Sequence, residues 1–252
     1  MWEKWVFHSD TKLTNSSMIF ALSTGMPQYY MLYSQARELA RYLLERIEHE
    51  RLASYYSASM EEMVYVNDES QAELPGYYVD RLKLPHSEAS GDLLLFSGNA
   101  SPRQHTYEFC DSLLRVAKDR WGLRTIVSLG ARWTEEPTQL TVESSKVYGF
   151  GGTAEDAALL RSLGVLEHPS EVAPFVANMI VGLSPLYGIS GMKLAVDHGE
   201  VRPHPKQVKS LLTVLQKMLG FELDLSQLDE EAEKLKLDVN VLSKIGKSVI
   251  DT

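Results

Sequence analysis

The sequence predicts an α/β fold, a single domain with a mostly parallel central sheet flanked by helices. Short apolar runs that suit buried strands alternate along the chain with segments whose apolar residues recur every three or four positions, as on one face of a helix. The clearest unit lies between Asp92 and Arg132, where a strand, a helix and a second strand follow one another, as in a parallel crossover. The chain has 252 residues, 44% of them hydrophobic, and no Pro/Gly/Ser-rich linker divides it, so we expect one domain over residues 1–252.

The charge balance and the single cysteine exclude several classes of protein. The net charge of −9 repels phosphate backbones and anionic lipid, so we expect neither a nucleic acid nor a membrane as a partner. Cys110 is the only cysteine, which rules out an intramolecular disulfide and a secreted disulfide scaffold. The first residues lack the features of a signal peptide, and no apolar run reaches the roughly 18–20 residues that span a bilayer. A cytoplasmic location is expected.

The first part of the chain predicts a strand, a helix and a second strand. Met18–Leu22 is a short apolar run typical of a buried strand, and turn-forming residues follow it. A helix is predicted over Tyr29–Glu50, since apolar side chains such as Leu39 and Leu43 recur at helical spacing. Arg51–Tyr56 then suits a pleated, half-buried surface, which favours a strand.

Residues 57–90 are the least regular part of the sequence. Glu61–Val66 and Gly76–Leu84 look like two antiparallel strands on either side of a turn-rich stretch. Because this pair interrupts the alternation of strands and helices, we expect it to form a β excursion from the main sheet rather than a second domain.

The strand–helix–strand unit comes next. An apolar strand begins at Asp92 and runs up to Ser97, and a helix is predicted over about Tyr107–Arg120. Gly122 lies just beyond the last turn, where a left-handed residue commonly ends a helix. Thr125–Leu129 is the second strand of the unit, and we expect it to run parallel to the first.

The last part of the chain continues the alternation. Lys146–Phe150 predicts a strand and Ala154–Gly164 a short helix. Ala177–Val181 and Met192–Val196 are further apolar runs, separated by a turn-rich stretch. Residues 203–252 predict a C-terminal helical segment, because leucines and valines recur there at helical spacing.

Small and polar residues follow the predicted strands, where ligands usually bind in a parallel sheet. Gly98, Gly130 and Gly149 each come just after a strand, and such ends line up on one edge of the sheet. Glycine permits a sharp turn, and nearby Ser, Asn and Arg side chains are suited to an anion or a sugar. The same residue types are ordinary turn formers, so turn geometry is the competing interpretation. The candidate ligand-binding residues are Gly25, Ser97, Gly98, Asn99, Gly130 and Arg132.

No catalytic set is visible in the sequence. It contains no dinucleotide fingerprint, no phosphate loop and no nucleophile elbow. His198 and His204 are six residues apart, a spacing that fits no zinc pattern, and Cys110 lies on the apolar face of a predicted helix. We therefore expect no catalytic residue, no metal and no cofactor.

Several segments carry a family resemblance. They are Phe20–Gly25, Asp92–Gly98, Gly122–Ala131, Lys146–Gly149, Pro203–Pro205 ahead of Leu211–Leu215, and Leu225–Ala232. In this order they resemble the proteasome assembly chaperone two family, over about residues 18–235. In that family a longer helix follows the segment that matches Ile180–Gly182. Because Met192 follows so closely in this chain, we expect a core helix to be shortened or lost there.

The resemblance implies an α/β core similar to the phosphorylase/hydrolase-like fold and a homo-oligomer, which is a trimer if it follows bacterial relatives. It also implies a protein partner, because eukaryotic members act as chaperones of proteasome α-subunits. The leading hypothesis is therefore a cytoplasmic interaction or assembly scaffold that is not an enzyme. The alternative is a binder or a hydrolase/phosphorylase-like enzyme that holds a nucleoside-like or anionic ligand in the strand-end loops.

Overall fold

The computed structural model describes residues 2–22, 34–60, 64–84, 91–98, 102, 104–133, 145–168, 175–198 and 204–235. Its strands are β1 (Glu3–Phe7), β2 (Ser16–Ala21), β3 (His49–Ser57), β4 (Tyr65–Val66), β5 (Ala72–Glu73), β6 (Tyr77–Leu82), β7 (Asp92–Gly98), β8 (Leu123–Trp133), β9 (Val147–Gly151), β10 (Leu166–Glu167) and β11 (Ser190–His198). Its helices are α1 (Gln35–Arg46), α2 (Thr106–Trp121), α3 (Ala154–Ser162), α4 (Val176–Leu183), a 3₁₀ turn (Ser184–Tyr187), α5 (Pro205–Leu219) and α6 (residues 226–235).

Within these ranges, a main sheet of nine strands has the order β1-β3-β6-β7-β2-β8-β11-β9-β10. Its four central strands, β7, β2, β8 and β11, are parallel to one another. On one side β6, β3 and β1 continue the sheet in antiparallel pairs, and on the other side β9 is antiparallel to β11. The predicted α/β fold, with a parallel central sheet flanked by helices, is confirmed. The antiparallel strands on both sides make the sheet as a whole mixed.

Helices cover both faces of the central strands, because parallel strands in the middle of a sheet are shielded from water on both sides. Side chains alternate along β2: Ile19 belongs to the core under α1, α3 and α5, and Phe20 to the core under α2 and α4. Leu39 of α1 and Phe109 of α2 are fully buried against these two faces. Burial of each such side chain stabilises the fold by roughly 1.5–3 kcal/mol.

The predicted strand–helix–strand unit is confirmed as β7, α2 and β8. Cys110 lies on the buried face of the helix, where burial raises the pKa of its thiol to about 12. Gly122 ends the helix in the left-handed conformation, with a φ of 56° and its N–H bonded to the carbonyls of Ala117 and Lys118. The two strands are not neighbours, however, since β2 lies between them and pairs with both.

The strand predicted at Gly76–Leu84 belongs to the main sheet, which corrects the expected β excursion over residues 57–90. β6 pairs with β3 on one edge and with β7 on the other. Among the described residues, only β4 and β5 leave the sheet, as a separate two-stranded hairpin. β6 also carries a buried acidic residue. Its Asp80 is completely buried and needs a charged partner, which is the guanidinium of Arg51 at 3.0 Å.

α1 is shorter than the helix predicted over Tyr29–Glu50. Its first turn is capped by Ser34, whose side chain accepts a hydrogen bond from the N–H of Arg37 at 3.1 Å. It ends where the chain begins to pair with β6 as the strand β3, three residues further on. The end of α1 is therefore set by the pairing of β3 with β6, which lies far away in the sequence.

A short helix is present where a core helix was expected to be shortened or lost. Ala177–Val181 lies within α4, which has eight residues and leads directly into the 3₁₀ turn. Ile180 of this helix is fully buried, and the helix packs against β8 and β11. The next apolar run, Met192–Val196, lies within β11.

The C-terminal part of the described chain is helical, as predicted. α5 begins after His204, whose side chain accepts a hydrogen bond from the N–H of Lys206, and it ends at Gly220 with a φ of 68°. α6 follows and places Leu228 in the core that α1 and α5 share. Residues 236–252 lie outside the described residues.

We predict that Gly122→Ala destabilises the protein more than Gly188→Ala does. Both glycines are left-handed, with φ values of 56° and 66°, so an added side chain costs roughly 1–2 kcal/mol at either position. At Gly122 the new Cβ would also lie 2.5 Å from the backbone of Thr14, whereas at Gly188 it would meet open space. The clash adds about 1–3 kcal/mol. Equal losses in the free energy of unfolding, measured by urea denaturation, would contradict this account.

Candidate functional site

The first predicted strand-end loop is already part of the sheet. Ser97 and Gly98 are the last residues of β7, and Gly98 pairs with Tyr77 of β6. A Cβ at Gly98 would lie 2.5 Å from the ring of Tyr77, so glycine lets this buried ring pack on the backbone. An aromatic side chain therefore fills the space beside the expected loop. Two further candidates, Gly25 and Asn99, lie outside the described residues.

The second predicted loop also lies within a strand, which corrects its placement. Sequence patterns end this strand at Leu129, but β8 continues to Trp133 because it stays paired with β11 along that length. Gly130 is buried within β8, and Arg132 lies opposite Asp197 of β11. Both candidates thus belong to the carboxyl-terminal ends of the central strands rather than to a flexible turn.

Gly149 does not share an edge of the sheet with Gly98, which is a further correction. β9 is antiparallel to β11, and its last residue, Gly151, pairs with Met192 near the beginning of β11. A Cβ at Gly151 would lie 2.4 Å from the backbone of Ala157, so this glycine allows α3 to pack closely on the strand. The role of Gly151 is therefore structural, and it lies at the amino-terminal edge of the central strands.

An ion pair between neighbouring strands occupies the carboxyl-terminal edge. Nε and Nη2 of Arg132 donate to Oδ1 of Asp197, at 2.7 and 2.5 Å. The guanidinium also stacks over the ring of Tyr148, 4.2 Å from its centroid. The backbone carbonyl of Asp197 accepts a hydrogen bond from Nε2 of Gln207 at 2.6 Å, which ties the first turn of α5 to β11. The charge of Arg132, a predicted anion ligand, is therefore balanced by a carboxylate.

A buried lysine, Lys193 of β11, is the group that sequence reasoning missed. Only 3% of it is exposed, and its Nζ donates to the backbone carbonyl of Leu129 at 2.8 Å. Burial lowers the pKa of Lys193 to about 7, so the amine is partly neutral near physiological pH. Its signal in the sequence is a single charge inside the apolar run Met192–Val196.

A histidine near this lysine is also held towards its neutral form. The imidazole of His168 packs edge-on against the ring of Phe150 in β9. Burial lowers the pKa of His168, and the positive charges of Lys193 and Arg132 lower it further. A neutral amine and a neutral imidazole can each accept a proton, which is the property that a general base needs. Because Lys193 is buried, a ligand reaches its amine only if the side chains that cover it move.

The described part of the chain offers no metal site. Among its residues, no three His, Cys, Asp or Glu side chains come together in a way that would hold a metal ion. Of the two histidines considered in the sequence, His204 caps α5, with its Nδ1 accepting a hydrogen bond from the N–H of Lys206 at 3.2 Å. His198 is the last residue of β11. None of the described helices is both long and apolar enough to cross a membrane.

We predict that Lys193→Met stabilises the folded protein and that the gain depends on pH, because the free-energy penalty of burying a charged amine is removed. The pKa of Lys193 is about 7 in the folded protein and 10.5 in its ordinary environment, so between these values the unfolded chain binds one more proton than the folded chain. Through this residue, the free energy of unfolding therefore rises with pH across that window. The cost of a charged, buried amine is fully present below about pH 7.

Urea denaturation of both proteins at pH 7 and pH 9.5 measures this effect. Lys193→Met should be more stable at pH 7, by about 1–4 kcal/mol, and the gap should shrink at pH 9.5. Other titrating groups contribute equally to both proteins and cancel in the difference. Lys146→Met, which changes an exposed lysine, should differ from the wild type by the same amount at both pH values. If the difference in the free energy of unfolding between Lys193→Met and the wild type is the same at both pH values, this amine does not titrate between them.

The fold is similar to that of several solved structures. PbaB from Pyrococcus furiosus, an archaeal proteasome activator, matches with a TM-score of 0.78 and 19% identity, over 96% of this chain and 98% of that chain. PbaA from the same organism, an archaeal homolog of proteasome-assembly chaperone, gives 0.71 and 16%, over 99% and 94% of the two chains. A proteasome-assembly chaperone homologue from Mycobacterium tuberculosis gives 0.72 and 20%, over 88% and 94%.

Because the sequence identities to these solved structures are low, the similarity shows that the fold is shared and nothing more. No curated protein matches the sequence of the chain. The PAC2 family, in contrast, matches it over residues 36–243, which is most of its length. The matched part includes the central strands β7, β8 and β11, the helices from α2 to α6, and all of α1 except its first residue. This protein therefore belongs to the PAC2 family, as the resemblance in its sequence predicted.

Proposed function

We propose that this protein is a cytoplasmic, chaperone-like scaffold that works through contacts with other protein chains. Its membership of the PAC2 family supports a chaperone-like role. The similar structures, which include a proteasome activator and proteasome-assembly chaperone homologues, point in the same direction. We also propose that the chain forms a homo-oligomer, with a trimer as the expected assembly.

An apolar hairpin is the observation that carries this proposal. β4 and β5 form a two-stranded unit outside the main sheet, and Val64, Val66 and Leu74 are 54%, 69% and 54% exposed on it or beside it. Val66 lies in β4 and Val64 comes directly before the strand, two positions earlier, so we infer that both side chains face the same way and form one exposed apolar side. Apolar side chains grouped on the surface in this way mark contacts with other proteins.

The turn of this hairpin is fixed before any partner binds. The side-chain oxygen of Asn67 accepts hydrogen bonds from the N–H groups of Glu69 and Gln71, at 3.1 and 2.9 Å. The side-chain amide of Asn67 donates to Glu73 at 2.8 Å. A surface that is ordered in advance loses less entropy on association, which favours tighter binding.

The hairpin lies at the same edge of the sheet as the Arg132–Asp197 ion pair. β6 follows the hairpin, and its first residue, Tyr77, pairs with Gly98 at the carboxyl-terminal end of β7. Trp2, which is 59% exposed, belongs to this edge as well, because its carbonyl accepts a hydrogen bond from the residue that follows β3. We infer that a second copy of the chain covers this apolar edge in the homo-oligomer.

The alternative function, a small-molecule enzyme that uses the strand-end loops, has less support. The ring of Tyr77 fills the space beside Gly98, and Arg132 is already paired with Asp197. The burial of Lys193, which lowers the pKa of its amine to about 7, is the feature that favours an enzyme. A thermal-shift screen with nucleotides and sugar phosphates tests this alternative, since a ligand that binds the folded state raises its melting temperature.

We predict that replacing Val64 and Val66 together with aspartate breaks the homo-oligomer and leaves the fold intact. Both side chains are exposed in the monomer, so the free energy of unfolding should change by less than about 0.5 kcal/mol per site. In a contact with a second copy, the new charges would be buried without partners, and self-association should weaken by at least about tenfold.

Size-exclusion chromatography with light scattering, over a range of protein concentrations, measures the assembly. The matched control is Leu186→Asp, a change at a residue that is 79% exposed in the 3₁₀ turn, and it should leave the mass unchanged. A wild-type protein that stays monomeric at every concentration would refute the homo-oligomer. A Val64/Val66 variant with the wild-type mass would instead show that the contact lies elsewhere.

A further inference from the structure

A cavity at the opposite edge of the sheet has the features of a separate binding site. It measures about 440 Å³ and opens at the amino-terminal ends of the central strands, on the face that α1 and α5 cover. A cavity of this size accommodates a small organic molecule. Its walls include Ser17 of β2, Arg124 and Thr125 of β8, Leu159 of α3, Met192 of β11 and Lys217 of α5.

Two cationic side chains in this wall have no partner in the part of the chain that the structure describes. Arg124 and Lys217 are both exposed, and neither makes an ion pair or a side-chain hydrogen bond with another described residue. The carboxylate in the lining, Asp92, is neutralised by Arg81 at 2.5 Å. In a chain with a net charge of −9, a cavity with two cations that have no partner among the described residues attracts an anion.

A β-bulge places Arg124 at the cavity. Ser16 and Ser17 are consecutive in β2, but they pair with Leu123 and Thr125 of β8, so Arg124 is an extra residue in its strand. The bulge keeps Leu123 in the core under α2 and α4, while Thr125 lines the cavity on the other face. A bulge re-aims the side chains around it, and this one brings the guanidinium to the cavity wall.

The remaining walls suit a ligand with a short apolar body. Leu159 is 43% exposed, and the buried Met192 contributes to the same lining. The hydroxyls of Ser17 and Thr125 make no hydrogen bond to another described residue, so each can donate one to a ligand. A ligand that packs an apolar carbon chain against the apolar walls and accepts hydrogen bonds from the hydroxyls through an anionic oxygen matches both parts of the lining.

The electrostatics of the cavity favour one negative charge over two. The C-terminal end of α5, at Gly220, lies in the lining and carries the negative pole of the helix dipole. Because the ion pair of Asp92 and Arg81 is neutral, this pole partly offsets the charges of Arg124 and Lys217, and the lining keeps less net positive charge than a doubly charged phosphate would need. The planar carboxylate also matches the fork of N–H donors that Arg124 presents.

We propose that this cavity binds a monocarboxylate with a short apolar body, whose carboxylate is held by Arg124 and Lys217. A free acid of about four to eight carbons and a peptide C-terminus with an apolar last residue share this chemistry and fit the volume. The site lies apart from the hairpin and from Lys193, at the other edge of the sheet. It does not depend on the proposed assembly role.

A second cavity provides an internal control. It measures about 400 Å³ and contains three lysines, among them Lys206 and Lys209. Lys209 is paired with Asp229 at 2.5 Å, and the hydroxyl of Ser210 donates to a carbonyl of its own helix at 2.9 Å. Much of its polar lining is thus satisfied within the protein. Binding there is expected to be weaker than at Arg124.

Isothermal titration of the full chain at low ionic strength, with hexanoate and with hexanamide, tests the proposal. We expect hexanoate to bind saturably and hexanamide to bind at least about tenfold more weakly, since the amide lacks the charge. Arg124→Gln and Lys217→Gln should each weaken hexanoate binding about tenfold, and Lys206→Gln should leave it unchanged. Circular dichroism confirms that each variant is folded.

N-acetylglycylleucine and its C-terminal amide form the second arm of the experiment. Tighter binding of this peptide acid than of hexanoate identifies a peptide C-terminus as the ligand, and the reverse identifies a free acid. Backbone amide shifts in NMR spectra should appear at Ser17 and Thr125. The proposal is overturned if neither acid binds, if the amides bind as tightly as the acids, if Arg124→Gln has no effect, or if the shifts appear only around Lys206.

Discussion

Four parallel strands that must be hidden from water on both faces are the constraint on which the rest of this structure depends. β7, β2, β8 and β11 can be buried only if helices pack on both sides, so α1, α3 and α5 take one face and α2 and α4 take the other. The antiparallel strands then extend the sheet on both sides. Lys193 shows the strength of this constraint, because burial in the centre lowers its pKa to about 7.

The same arrangement separates two surfaces of different chemistry. The carboxyl-terminal edge holds the ion pair of Arg132 and Asp197 and leads to the apolar hairpin, so it suits contact with another protein chain. The amino-terminal edge holds a cavity with the cations Arg124 and Lys217, which suits a small anion. The proposed protein contacts at one edge would therefore leave the cavity at the other edge open to a ligand.

Apolar periodicity is sufficient to predict α2 with its end at the left-handed Gly122, and to predict that the segment containing α5 is helical, because each helix buries one apolar stripe. It does not reveal that β2 lies between β7 and β8, since that pairing joins distant parts of the chain. The loops predicted at Gly98 and Gly130 are strands for the same reason: pairing with neighbours decides where a strand ends. Arg132 is recognisable by type, but its partner Asp197 follows only from the register of β8 and β11.

The position of β2 has a consequence for the synthesis of this protein. β2 begins at Ser16, whereas its two neighbours in the sheet begin at Asp92 and Leu123. While the ribosome makes the residues in between, the apolar segment of β2 has no strand to pair with on either edge. Unpaired strand edges are templates for aggregation. The nascent chain cannot complete its sheet from the N-terminus onwards. Until both of its neighbours have been made, β2 therefore keeps the exposed edges that make a nascent chain prone to aggregate.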